Sequence, residues 1–234
     1  MKAKKIAKAV KSPRVARPVK ALAAAPARAN TRTLQKEATR AAILQAALQV
    51  FAEHGYAGSS TRDIAALAGA HHALIKYYFQ NKETLWREAV TFLFERQAQE
   101  LSFEPPAGAL STARGRRQHA REVLRRWVVY CARHPEHARL MVQESVRDSE
   151  RLHWVTDTFV KRTSQGALAL VDLLQKEKML PADVSPVALI YIIVGAAQQF
   201  YTLAPEVRRV WKLDPASDAA IEAHVDALLA VFIR

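Results

Sequence analysis

A chain of 234 residues, half of them hydrophobic, can bury one small core and one larger core, so two domains are the natural expectation. Its single cysteine excludes an internal disulfide and fits a reducing, cytoplasmic setting. No apolar run reaches the ~18 residues of a membrane span, and the net charge of +13 is uneven, with ten of the basic residues and none of the acidic ones in residues 1–32, which leaves +3 for the rest.

Residues 1–32 carry Pro13, Pro18 and Pro26 and Ala-rich spacers between the cations, and are expected to form a disordered basic arm. It would either add sequence-independent affinity for DNA by neutralising phosphates or be a solvated tail without a role. A transit peptide fits less well, because the segment is Lys-rich, nearly free of Ser and lacks a sustained amphipathic helix.

The next pattern is a helix over Thr39–His54, with Ile43, Ala47, Val50 and Phe51 on one stripe and Gly55 where a C-terminal cap belongs. Ser60 stands three residues before Asp63, the spacing of a capping box, and predicts a second helix from about Thr61. Ile64, Leu67 and Ala68 give that helix its buried edge, and Gly69 supplies the turn. A third helix is expected from about His71. Leu74, Ile75, Tyr78 and Phe79 form its inner side and leave His72, Ala73, Lys76 and Tyr77 outside. Two short helices joined at a glycine, the second with a polar, cationic and aromatic outer face, make a helix-turn-helix, whose second helix enters the major groove.

The run from Thr39 to Leu85 resembles the DNA-binding domain of TetR-family transcriptional regulators. The matching elements are Phe51-Ala52-Glu53-His54-Gly55-Tyr56, Thr61-Arg62-Asp63-Ile64-Ala65, Ala68-Gly69, Tyr78-Phe79, Lys82-Glu83 and Leu85. The resemblance implies that Thr61 and Arg62 join His72, Ala73, Lys76 and Tyr77 in contacting bases and phosphates, with Tyr78 and Lys82 touching the DNA backbone. Two positions depart from the family pattern: His71 replaces the Ser or Thr that commonly caps the recognition helix, and Lys76 replaces a frequent Tyr. His71 is therefore expected to cap through a ring nitrogen and to face DNA.

Beyond the helix-turn-helix, helical patterns cover 82–101, 112–133, 136–147, 149–178, 185–204 and 216–233, with breaks at Pro105-Pro106-Ala107-Gly108, His134-Pro135, Pro181, Pro205 and Asp214-Pro215. No stretch alternates as a strand. The expected fold is all-α: a three-helix helix-turn-helix domain over 33–82 and a roughly six-helix ligand-binding and dimerisation domain over 83–234. Ile190, Ile193, Val194 and Ala197, and likewise Ile221, Val225, Leu228, Leu229 and Phe232, make strong apolar stripes. The resemblance implies that these stripes meet their symmetry mates in a homodimer, which would read a palindromic operator on double-stranded DNA; the alternative is that they face the protomer's own core.

Regulators of this type also bind a small-molecule effector, and a dimeric repressor released from its operator by that effector is the expected function. Candidate lining is Trp127, Tyr130, Cys131, Met141, Trp154, Phe159, Tyr191, Gln198, Phe200 and Tyr201, most of them ordinary core by expectation. Cys131, His134 and His137 lie near Glu144 at spacings a metal could use, but Pro135 interrupts the helix between the histidines, and neither a metal nor a cofactor is expected. With seven glycines and no nucleophile partnered to a base, no enzyme chemistry is expected either. An architectural DNA-binding protein that coats duplexes with the basic arm is the alternative.

Overall fold

The computed structural model describes residues 31–101 and 108–233, so most of the predicted arm lies outside the described residues. Helix α1 spans Thr31–Gly58 and begins well before the predicted Thr39, because the segment from Thr31 to Ala38 contains good helix formers and no Gly or Pro to stop it. Its regular helix ends at Gly55, whose φ of 67° and ψ of 171° belong to a region open essentially only to glycine. Helix α2 spans Thr61–Leu67, α3 Ala73–Phe79 and α4 Lys82–Glu100. Ser60 caps α2 by accepting from the Arg62 N–H. Gly69, at φ 62°, closes α2 in a Schellman motif: its N–H bonds the Ala66 carbonyl and the Ala70 N–H bonds the Ala65 carbonyl. Asn81 caps α4 by accepting from the Thr84 N–H.

Helix α5 spans Ala113–Arg133 and α6 Pro135–Ser145, with Pro135 at the start of α6, where its missing N–H costs nothing. The predicted helix over 149–178 consists of α7, Glu150–Val155, a π-helical turn over Thr156–Val160, and α8, Lys161–Lys176. Helix α9, Pro186–Thr202, is followed by α10, Ala204–Trp211, which the periodicity missed because Pro205 reads as a breaker; here the proline sits in the first turn of a new helix. Helix α11 spans Asp218–Phe232. The described residues contain no strand, and none of their helices is alone long and apolar enough to cross a membrane.

Two cores hold the molecule. The first gathers Ile43, Leu48 and Phe51 of α1, Ile64 of α2, Ile75 and Phe79 of α3, and Leu85, Trp86, Val90 and Leu93 of α4. Leu140 of α6 and Val155 of α7 lie fully inside the same core. At about 1.5–3 kcal/mol for each buried aliphatic side chain, these two residues bind the later helices firmly to the helix-turn-helix. The second core joins α5, α8, α9 and α11 through Leu124, Val128, Val171, Leu174, Leu189 and Val225, among others.

This second core corrects the predicted dimer stripe. Ala197, Ile221, Val225, Leu228 and Leu229 are buried in the protomer's own interior, Ile190, Ile193 and Phe232 pack against it, and Val194 is half-buried. The large apolar side chains that these helices expose are instead Val187, Tyr191 and Ile192 on α9 and Val231 on α11. Helix α9 is apolar on nearly every side, so spacing alone could not tell which stripe faces inward. Leu67 is also corrected: it is 54% exposed, and Ile64 and Ala65 carry the buried edge of α2.

Candidate nucleic-acid interface

The outward face of α3 carries the chemistry that a groove reader needs. His71, His72, Ala73, Lys76 and Tyr77 are all exposed, while Ile75 and Phe79 anchor the opposite side in the first core. Tyr77 is 66% exposed, and its ring stands edge-on to Tyr78 at 5.0 Å between centroids. Lys76 and Arg62 add positive charge on the same pair of helices, with Arg62 exposed at the first turn of α2.

The two helices are tied at their N-termini. Thr61 Oγ1 and His72 Nε2 lie 3.0 Å apart in a hydrogen bond that joins the start of α2 to the start of α3. His71 accepts the Ala73 N–H on its ring Nδ1 at 3.3 Å, while His72, the N-cap residue of α3, makes no side-chain cap bond.

Tyr78 and Lys82 stand at the edge of this face and are half-buried. The Tyr78 hydroxyl lies 3.4 Å from the Lys36 carbonyl on α1. The Lys82 ammonium donates to the Ser59 carbonyl at 2.6 Å and lies 4.6 Å from the centre of the Tyr56 ring; burial and then the nearby Arg151 charge push its pKa down. Each polar atom thus already has a protein partner that fixes its position.

Contacts that no local pattern announced lock this head to the helices behind it. Gln143 on α6 donates to the Ala52 carbonyl of α1 at 2.8 Å, capping the helix just before Gly55. Arg96 on α4 donates to Gln45 of α1 at 3.0 Å and to Glu136 of α6 at 2.6 Å. Burial alone would raise the Glu136 pKa, but the His134 hydrogen bond, its own backbone and the Arg96 charge outweigh it and hold the carboxyl below its usual value. Next to it, His137 is buried, hydrogen-bonded to the Tyr130 hydroxyl at 2.8 Å, and pushed down to about 3, first by burial and then by the Arg96 charge.

The predicted effector lining is divided between the two cores. Met141, Trp154 and Phe159 pack against the first core, whereas Trp127 and Phe200 pack against the second, in which Cys131 and Tyr201 are buried. Tyr191 is 74% exposed and Gln198 half-buried. Tyr130 lines a cleft of about 590 Å³ that opens between the end of α4, α5 and α11, whose walls are largely charged: Glu100, Arg125, Arg126 and Arg133 among them. The candidate metal ligands separate as well. Cys131 faces the second core, His134 meets Glu100 and Glu136, His137 meets Tyr130, and Glu144 meets Arg151.

Residues 43–89 match the family model described as bacterial regulatory proteins, tetR family. The HTH-type transcriptional regulator RutR of Escherichia coli K12 is 26% identical over 178 residues, covering 74% of this chain and 78% of its own. The HTH-type transcriptional repressor NicS of Pseudomonas putida is 30% identical over 120 residues, covering 49% and 52%. The helix-turn-helix segment is thus of the TetR family. That segment runs from mid α1 into α4, the elements that build the face described above, and it is shared with DNA-binding transcriptional regulators. A crystal structure of AibR in complex with isovaleryl coenzyme A and operator DNA shares the fold, with a TM-score of 0.62 at 16% identity, covering 83% of this chain and 98% of that one.

Proposed function

We propose that this protein acts in the cytoplasm as a TetR-family homodimeric repressor that reads a palindromic operator with α3 and leaves it when a small-molecule effector binds the helical region. The reading rests on one observation above all: an exposed imidazole, ammonium and phenol, His72, Lys76 and Tyr77, share the outer face of a helix whose inner face is fully anchored. Arg62 and Thr61 extend that face toward the flanking phosphates. The domains fall at 33–82 for the head and 83–234 for the remainder, with α4 leading from one to the other.

Dimerisation uses the apolar side chains that the protomer leaves uncovered. Ala188, Tyr191, Ile192 and Gly195 on α9 and Ala223, Ala227 and Val231 on α11 are all exposed at helical spacing, with small residues that let two helices approach closely. A two-fold pair formed this way carries two reading helices for successive major grooves, about 34–36 Å apart. Contacts across the junction between α6 and α1 support an effector-driven release, since a shift of α6 moves groups that touch the head.

The test is selection of bound fragments from genomic DNA followed by competition with nonspecific duplex. A repressor of this kind retains a two-fold symmetric site against a large excess of competitor. Uniform binding to all duplexes would instead point to the architectural alternative.

A further inference from the structure

Tyr56, one residue past Gly55, has two cations against its ring. Lys82 Nζ lies 4.6 Å from the ring centre and the Arg151 guanidinium carbon 4.0 Å. The cations come from different parts of the molecule: Lys82 opens α4, and Arg151 belongs to α7. Arg151 also lies 5.7 Å from the centre of the Trp86 ring and donates through Nε to Glu144 of α6 at 3.2 Å. Glu144 is one of the few charged residues buried in the described structure, and Arg151 is its ion-pair partner. A carboxylate placed there without a cation would be strongly penalised, so Glu144 and Arg151 act as a unit.

The other cation continues the chain of contacts. Lys82 donates to the Ser59 carbonyl, and the next residue, Ser60, caps α2. Thr61, the first residue of α2, holds His72 of α3. Successive contacts therefore lead from a buried carboxylate on α6, through Arg151, Tyr56 and Lys82, to the hinge that aims both helices of the head.

We propose that Arg151, oriented by Glu144, is a positioning residue for DNA recognition: it clamps Tyr56 against Lys82 and so fixes the hinge at Ser59-Ser60 relative to α6 and α7. This inference rests on the regulator reading above and adds the route by which movement behind the head reaches it. Guanidinium chemistry is essential to the clamp, because one delocalised cation lies against two aromatic rings while its Nε bonds a carboxylate. Lysine keeps the charge and loses that arrangement.

The experiment compares wild type with Arg151→Ala, Arg151→Lys, Glu144→Gln and the double variant Glu144→Gln with Arg151→Ala, all as full chains. Hydrogen exchange reads the clamp without DNA. Arg151→Ala is expected to speed exchange about ten-fold at the Arg62 and Ile64 amides, an effect in the range of network couplings, while α9 and α11 amides stay as in wild type. Binding to the selected operator is expected to fall about ten-fold in Arg151→Ala and Arg151→Lys alike, with less than about two-fold change for a single half-site, since the clamp sets the aim of the head and not its contacts. The double variant is expected to match Arg151→Ala alone. Unchanged exchange at the α2 amides overturns the proposal, as does an equal loss of single-half-site and whole-operator affinity. A wild type that binds no discrete site, with the exchange effect present, leaves the clamp standing and refutes the regulator reading instead.

Discussion

Replacing Gly55 with alanine attacks the joint at which α1 hands the chain to the helix-turn-helix. At φ 67° and ψ 171° the backbone occupies a region that costs a residue with a side chain about 1–3 kcal/mol. A Cβ there would also stand 2.5 Å from Gln143 Oε1. Glutamine is flexible and can swing away, but only by giving up its 2.8 Å bond to the Ala52 carbonyl, at about 0.5–1.5 kcal/mol. Together the two terms predict a loss of about 2–4 kcal/mol, which for a chain of this length lowers the melting temperature by about 5–15 °C. Thermal and urea denaturation followed by circular dichroism measure it. Gln143→Ala alone should cost only the lost bond, and the double variant should fall short of the sum of the singles, because the clash no longer exists to be relieved. A Gly55→Ala protein that melts within about 1 °C of wild type would refute both the strain and the cap.

Tyr77→Ala removes an exposed ring, so it should leave stability within about 0.5 kcal/mol while weakening operator binding by about 1–3 kcal/mol; intact affinity in a fluorescence-anisotropy titration would remove Tyr77 from the interface. Tyr191→Glu places a charge on the uncovered face of α9 and should convert dimer to monomer in analytical ultracentrifugation, whereas Ile190→Glu, directed at the second core, should destabilise the protomer itself. Acid sensitivity should trace to His137, whose folded pKa of about 3 lies below the unfolded value of about 6.5. The unfolded chain then binds a proton that the folded one refuses, so stability present above about pH 6.5 is lost as pH falls toward 3, by at most about 1.4 kcal/mol per unit. His137→Gln should flatten that slope relative to wild type; parallel slopes would assign the acid response elsewhere.

The helix-turn-helix was legible in the sequence because its determinants are local. Ser60 and Gly69 sit next to the groups they cap or turn, and the inner and outer faces of α3 differ sharply in polarity. Which stripe of α9 packs inward was not legible for a physical reason: α9 runs Leu-Ile-Tyr-Ile-Ile-Val-Gly-Ala-Ala through its middle, so its stripes are nearly equivalent in hydrophobicity, and only packing against α5, α6 and α8 selects one. The junction between the cores was hidden by distance along the chain. Gln143 and Ala52 lie 91 positions apart, and nothing near either residue marks the pairing. Trp154, Phe159 and Met141 were read as pocket lining because aromatic and sulfur side chains suit ligand sites, yet the same shapes also fill the space where α6 and α7 dock on the head.

Selection of bound genomic fragments, run side by side for wild type and Tyr77→Ala, tests most directly whether the outer face of α3 reads DNA. The expected result is a two-fold symmetric motif for wild type, its half-sites centred about 10 base pairs or a multiple apart, with the motif weakened or relaxed at specific positions in the variant. Recovery of the same motif at the same strength by both proteins, or of no motif by either, would contradict it.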